Sequence, residues 1–249
     1  IKNNITNIRT QDEDFVEKYL GIPLSQCPWI SVGSDIMLFY PDMQARRKFR
    51  EEHKITDTDF VVIYAGKLDQ EKDGLLLAKS FKRVFNSKKI TLVVVGNTND
   101  DEYGKVVEAT FRSSENRVLR FPTQNYETLA VFYQAADLAV FPRQCSLSFF
   151  DVQACGIPIV SENNNINVDR LQFGNGLCFR SGDIKDFREK VTKISNLSSD
   201  EYKKMSDNAY NFVVQNYNYE NIAKQYVDEM LRSIERYHCL RNQIRGFHR

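Results

Sequence analysis

The side chains best equipped for chemistry lie in residues 60–74, FVVIYAGKLDQEKDG. The first six form a nearly unbroken apolar run of the kind buried inside a parallel sheet, and Gly66 ends it. Lys67 and Lys72 therefore stand at the carboxyl end of a strand, bracketing the turn that follows. Open α/β sheets hold ligands at that edge. A helix opening near Glu71 would aim its amide N–H groups and the positive end of its dipole into the same crevice. Two ammonium groups there can hold a diphosphate, whereas the same pair on an ordinary surface is merely solvated.

Other residues share this kind of position. Gly96 follows the apolar residues 90–95 as Gly66 follows the first run, and glycine there either lets a ligand approach the backbone or makes a tight turn. Residues 142–158, PRQCSLSFFDVQACGIP, read as a polar loop, a buried helix, then a glycine and a proline. Ser146 or Ser148 would cap that helix and leave the amides of Leu147 and its neighbours for an anion. Asp151, one turn inside, either accepts hydrogen bonds from ribose hydroxyls or complements the helix dipole. Asp137, just before an apolar strand, reads as a turn or cap residue in preference to a ligand residue. Arg120 and Arg143, at strand exits, either touch phosphate or are solvated.

The elements that must position these residues alternate regularly. Strands are expected at 60–65, 90–95, 117–121, 137–141, 158–160 and 176–179, with helices at 71–85, 101–112, 126–136, 148–155 and 184–197. That alternation predicts a Rossmann-like, doubly wound parallel α/β sheet of about six strands. Residues 198–249 carry apolar side chains at helical spacing (Phe212, Val213, Tyr217; Ile222, Tyr226, Met230, Ile234) and form C-terminal helices. Residues 1–55 hold an expected helix at 12–20, a strand at 29–32 and a basic helix around 46–54, too little for a domain. The organisation expected is thus 1–55 as the end of a preceding domain with an interdomain segment, 56–197 as the sheet domain and 198–249 as helices packing on it and towards that preceding domain.

Composition narrows the classes. With 249 residues and 42% hydrophobic content the chain can bury a sizeable core, and 34 Lys and Arg against 33 Asp and Glu give no argument for nucleic acid. No apolar run reaches transmembrane length, and IKNNITNIRT lacks the apolar centre of a secretory signal. Five widely spaced cysteines suit reduced thiols and a cytoplasmic setting. Neither they nor the three histidines have metal-ligand spacing. The chain starts at Ile1 rather than Met, as a piece of a longer protein would.

Taken jointly, the motifs resemble the carboxyl-terminal half of GT-B retaining glycosyltransferases, glycosyltransferase family 4 in particular. Gly66-Lys67-Leu68-Asp69-Gln70-Glu71-Lys72-Asp73 resembles the family's Gly-Arg-Leu-x-x-Glu-Lys-Gly, and Asp151 through Val160 resembles its Glu-Ala-Met-Ala-Cys-Gly-x-Pro-Val-Val. The run from Ala135 to Pro142, the turn at Gly174-Asn175-Gly176-Leu177 and Val32-Gly33-Ser34-Asp35 are similar to the family's Ala-Asp strand, Asn-Gly-Leu turn and interdomain Asn-Gly-Val-Asp. The resemblance implies transfer of a sugar from a UDP- or GDP-linked donor, without a metal or other cofactor. It implies that Lys67 and Lys72 take the diphosphate, Asp151 the ribose, and backbone around Thr123 the base. Gly66, Gly96, Ser146, Leu147 and Ser148 would line the donor.

Three departures stand out. Lys67 replaces an arginine, Asp151 is one methylene shorter than glutamate, and Arg143 occupies the place of the first of two motif glutamates in a shortened loop. The partners implied are a sugar or glycan acceptor of unknown identity and an amino-terminal acceptor domain missing from this chain. Any membrane contact would be peripheral and made through that domain. The chain alone is then expected to bind nucleotide and to transfer sugar poorly. A noncatalytic sugar-nucleotide or partner-binding module is the alternative from another class. An epimerase of the same architecture is the other, and the absence of histidines at strand exits counts against it.

Overall fold

The computed structural model describes residues 8–9, 15–143 and 147–246. The chain divides into two compact units, residues 1–33 with 216–249 and residues 34–215. In the smaller unit lie α1 (Phe15–Leu20) and a single 3-10 turn at Leu24–Gln26. Residues 29–32, expected as a strand, form only an isolated bridge in which Trp29 pairs with Arg9.

The larger unit opens with α2 (Met43–Glu52), started by Asp42, whose carboxylate accepts from the amides of Gln44 and Ala45. It continues through β1 (Phe60–Ala65), α3 (Gly74–Ser80), β2 (Ile90–Val95), α4 (Glu102–Arg112), β3 (Arg117–Phe121), α5 (Tyr126–Ala135), β4 (Leu138–Phe141), α6 (Ser148–Ala154), β5 (Ile159–Glu162), α7 (Asn165–Leu171), β6 (Gly176–Phe179), α8 (Ile184–Ser195) and α9 (Ser199–Asn216). The long α10 (Tyr219–Gly246) belongs to the smaller unit.

Among the described residues six strands form one sheet in the order β3-β2-β1-β4-β5-β6. Every neighbouring pair is parallel. The chain winds outward from β1 to β3, then returns to lay β4 on the other side of β1. Winding direction thus reverses between β1 and β4, and the loops leaving those strands diverge to either side of a crevice. Covered by helices on both faces, β1 and β2 carry FVVIYA and ITLVVV with almost no exposure, which is why their apolar runs do not alternate.

Asp137 is neither a turn residue nor a cap. Its buried carboxylate accepts from Arg46, from Arg50 at 2.7 Å and from the Val61 amide at 2.7 Å, so it ties α2 to the starts of β1 and β4. Removing one member of such a buried pair strands the others, at a cost of about 3–5 kcal/mol. At the sheet's edge β3 is half-exposed along its length. Arg117 donates to the carbonyls of His53 and Lys54, and Arg120 pairs with Glu108 at 2.6 Å.

Two helices differ from expectation. Residues 71–85 contain only α3, which starts at Gly74 because Asp73, in the left-handed region at φ 52°, occupies its cap. It ends early because side chains claim the carbonyls that follow: Arg188 those of Ser80, Arg83 and Val84, and Ser114 and Asn116 that of Phe81. No helix is expected between the strands at 158–160 and 176–179, yet Asn164 accepts from the Asn167 amide at 2.9 Å and opens α7.

Candidate functional site

Lys67, Lys72 and Arg143 lie on the loops after β1 and β4, at the point where the strand order reverses. On the β1 side the turn is held tightly. Leu68, fully buried, donates its amide to the Asn97 carbonyl at 3.2 Å, and the Tyr64 hydroxyl donates to the Lys67 carbonyl. Asp69 accepts from the Lys72 amide at 3.0 Å. Lys67 is exposed and Lys72 half-buried, and both precede the helix cap. The first turn of α3 does not offer its amides to the crevice, contrary to expectation. Asp73 accepts from Leu76 at 3.0 Å and the Tyr103 hydroxyl from Leu75 at 2.9 Å. On this side, charge comes from the lysine side chains rather than from a helix end.

Gly66 and Gly96 meet at the ends of β1 and β2. A Cβ on Gly96, whose φ is +141°, would lie 1.9 Å from the Gly66 carbonyl oxygen, so the neighbouring strand's own backbone demands glycine there. Thr123 is exposed two residues beyond β3 and makes no hydrogen bond among the described residues.

On the β4 side Arg143 donates from Nη1 to the Gln70 carbonyl at 3.2 Å, joining the exit of β4 to the lysine turn across the point of reversal. Ser146 lies outside the described residues. Exposed Leu147, rather than a serine, holds the cap position of α6, and no side chain caps that helix. Ser148 is its first residue.

Asp151 is 4% exposed. Its Oδ1 accepts from the Ser34 hydroxyl at 2.7 Å and from the Tyr126 hydroxyl at 3.4 Å. Burial pushes its carboxyl up to about 6, against the lowering effect of those two hydroxyls and with nearby Asp35 adding to the rise. Ser34 and Tyr126 went unnoticed in the sequence. Ser34 sits inside the recognised Val32-Gly33-Ser34-Asp35 segment, but nothing local links it to a residue 117 positions away. Among the described residues no three of His, Cys, Asp and Glu are grouped so as to hold a metal ion, and no helix is long and apolar enough to cross a membrane.

A parallel sheet with cationic side chains at its reversal point suits a nucleotide or sugar-phosphate ligand, and comparison with known proteins makes the relationship specific. Residues 45–212 match the family described as glycosyl transferases group 1. The chain belongs to that family. As a group 1 glycosyltransferase sequence it is 24% identical over 210 residues to a probable sucrose-phosphate synthase of Thermosipho melanesiensis, an alignment covering 80% of this chain and 46% of that protein. Its fold is similar to a glycosyltransferase from Rickettsia africae, with a TM-score of 0.80, 13% identity and coverage of 93% of this chain and 64% of that one. It is also similar to Anabaena HepE in complex with UDP and glucose, with a TM-score of 0.75, 18% identity and coverage of 90% and 62%. The chain thus spans about half the length of the curated relative it matches. The sheet and its helices are the Rossmann-like α/β fold of GT-B glycosyltransferases.

Proposed function

We propose that this chain is the donor-binding half of a retaining hexosyltransferase that takes a UDP- or GDP-linked sugar and uses no metal. One observation carries the reading: both lysines leave β1 at the reversal of strand order, and Arg143 closes the β4 side through the Gln70 carbonyl. A nucleoside diphosphate in that crevice would place its phosphates among cations, and the HepE complex with UDP and glucose supports that ligand class. As the bond from the sugar's anomeric carbon to the diphosphate oxygen breaks, both electrons pass to that oxygen. Lys67 and Lys72 are placed to offset the new charge. Lys67 does so as a point charge, because an ammonium lacks arginine's planar fork. Asp151 is assigned to the ribose and backbone near Thr123 to the base, with Ser148 and Leu147 beside the phosphates. The buried thiols of Cys27 and Cys155 support a reducing, cytoplasmic setting.

Titration with UDP, GDP and ADP sugars identifies the base, and Lys72→Ala tests the site. In the enzyme joined to its acceptor domain that substitution should lower kcat by about 100-fold. Unchanged nucleotide affinity and turnover would refute the assignment. A noncatalytic sugar-nucleotide module is the second reading, favoured by Arg143, a donor-only side chain at the position where the resemblance implies a carboxylate. Turnover by the complete enzyme separates the two.

A further inference from the structure

Asp151 lies on α6, Tyr126 opens α5, and Ser34 lies on the segment before α2, so three separate pieces of chain meet at one carboxylate. The segment carrying Ser34 is seated firmly. Fully buried Phe39 packs edge-on against Tyr126, ring centroids 4.9 Å apart, and tilted against Tyr133 at 5.8 Å. Gln134 Nε2 donates to the Tyr40 carbonyl at 3.1 Å. Ser34 itself is wholly buried, and a hydroxyl in such a place needs a partner. The resemblance puts a valine at this position, so the hydroxyl is a feature of this chain.

Both donors go to the same oxygen. Oδ1 takes Ser34 and Tyr126, while Oδ2 takes no hydrogen bond among the described residues. Two acceptor sites on a carboxylate oxygen are thereby filled, which restrains the carboxylate and leaves its other oxygen without a donor among the described residues.

We propose that Ser34 and Tyr126 are positioning residues that pin Oδ1 of Asp151 and reserve Oδ2 for the hydroxyls of a bound ribose. This deepens the donor-binding reading above and rests on it. The pinning compensates for a side chain shorter than glutamate: with less reach, its aim must be held from outside. It also favours the ionised form, which is the form that accepts from two vicinal hydroxyls. The titratable groups around Asp151 are Asp35 on the Ser34 segment, Tyr126 and Tyr133 on α5, and Cys155 on its own helix. Tyr133 and Cys155 are pushed up by burial, and both stay neutral across the working range.

The test measures binding of UDP, GDP and ADP, each beside its 2′,3′-dideoxy counterpart, to the parent chain and to Ser34→Ala, Tyr126→Phe and Asp151→Asn. The ratio of the two affinities isolates the diol contact and cancels the titration of the phosphates. The parent should prefer the ribose form, and the preference should grow as pH rises through about 6, where Asp151 ionises. Ser34→Ala and Tyr126→Phe should each cut it by up to about tenfold through the lost aim of the carboxylate, leaving the dideoxy affinity in place. Ser34→Ala should also move the pH midpoint upward, because a donor to the ionised form is gone, and Asp151→Asn should flatten the profile. Tyr126 is 42% exposed, so its variant folds even if a change at Ser34 is not tolerated. A ratio and midpoint equal to the parent's in both hydroxyl variants would overturn the proposal while leaving the donor reading intact. Failure of the parent to bind any of the three diphosphates would overturn both.

Discussion

Asp151 shows at the scale of one side chain how burying a carboxyl costs a fold stability. Its carboxyl titrates near 6 in the folded protein against an ordinary 3.8, so between those pH values the native state holds more protons than the unfolded chain. Stability from this group is therefore greatest in acid, falls as pH rises from about 4 to about 6, and is flat beyond. The deficit at neutral pH is on the order of 3 kcal/mol, from a shift of about two pH units. Asp151→Asn keeps the shape and an oxygen for Ser34 to donate to, yet removes the buried charge. Thermal unfolding at pH 7 should show this variant to be more stable than the parent, with the gap closing as pH falls from about 6 to about 4. A variant that melts lower at neutral pH would show that the charge is compensated in a way the Ser34 and Tyr126 bonds do not account for.

At the scale of elements, α3 is where sequence and structure part most usefully. Its apolar residues were legible as helix, but the start was not. Asp73 takes a left-handed backbone conformation and caps Leu76, and that geometry is what separates Lys72 from the helix. Asparagine tolerates the same conformation and can cap, whereas alanine can do neither comfortably. Asp73→Asn should be nearly neutral in denaturant unfolding, and Asp73→Ala should cost about 2 kcal/mol. Equal stability of the two would mean that the cap contributes nothing. The six strands of the sheet were readable, because apolar runs such as ITLVVV fit a sheet covered on both faces, whereas residues 29–32 carry a similar pattern and form only a bridge. Asp137 and Ser34 were not. The first gathers Arg46, Arg50 and the Val61 amide, the second reaches Asp151, and all those partners lie at least 76 positions away in sequence. Lys67 and Lys72 could be nominated because strand ends are visible in a sequence, and Asp151 because the polar loop and buried helix that hold it are. The hydroxyls that donate to Asp151 are placed by packing, which no local pattern records.

Across the whole molecule, every residue assigned to the donor lies in the unit formed by residues 34–215. A chain cut to residues 30–215 should therefore keep its fold by circular dichroism and bind the same nucleoside diphosphate as the full 249 residues, and loss of binding on that cut would place an essential contact in the smaller unit. The position of β3 has a separate consequence. An edge strand presents unpaired backbone groups on which another chain's strand could grow. Here Arg117 and Arg120 stand on that margin, and their guanidinium groups are anchored to neighbouring carbonyls and to Glu108 rather than left mobile. Charged side chains anchored along the rim of a sheet are one of the devices by which an edge strand discourages edge-to-edge pairing.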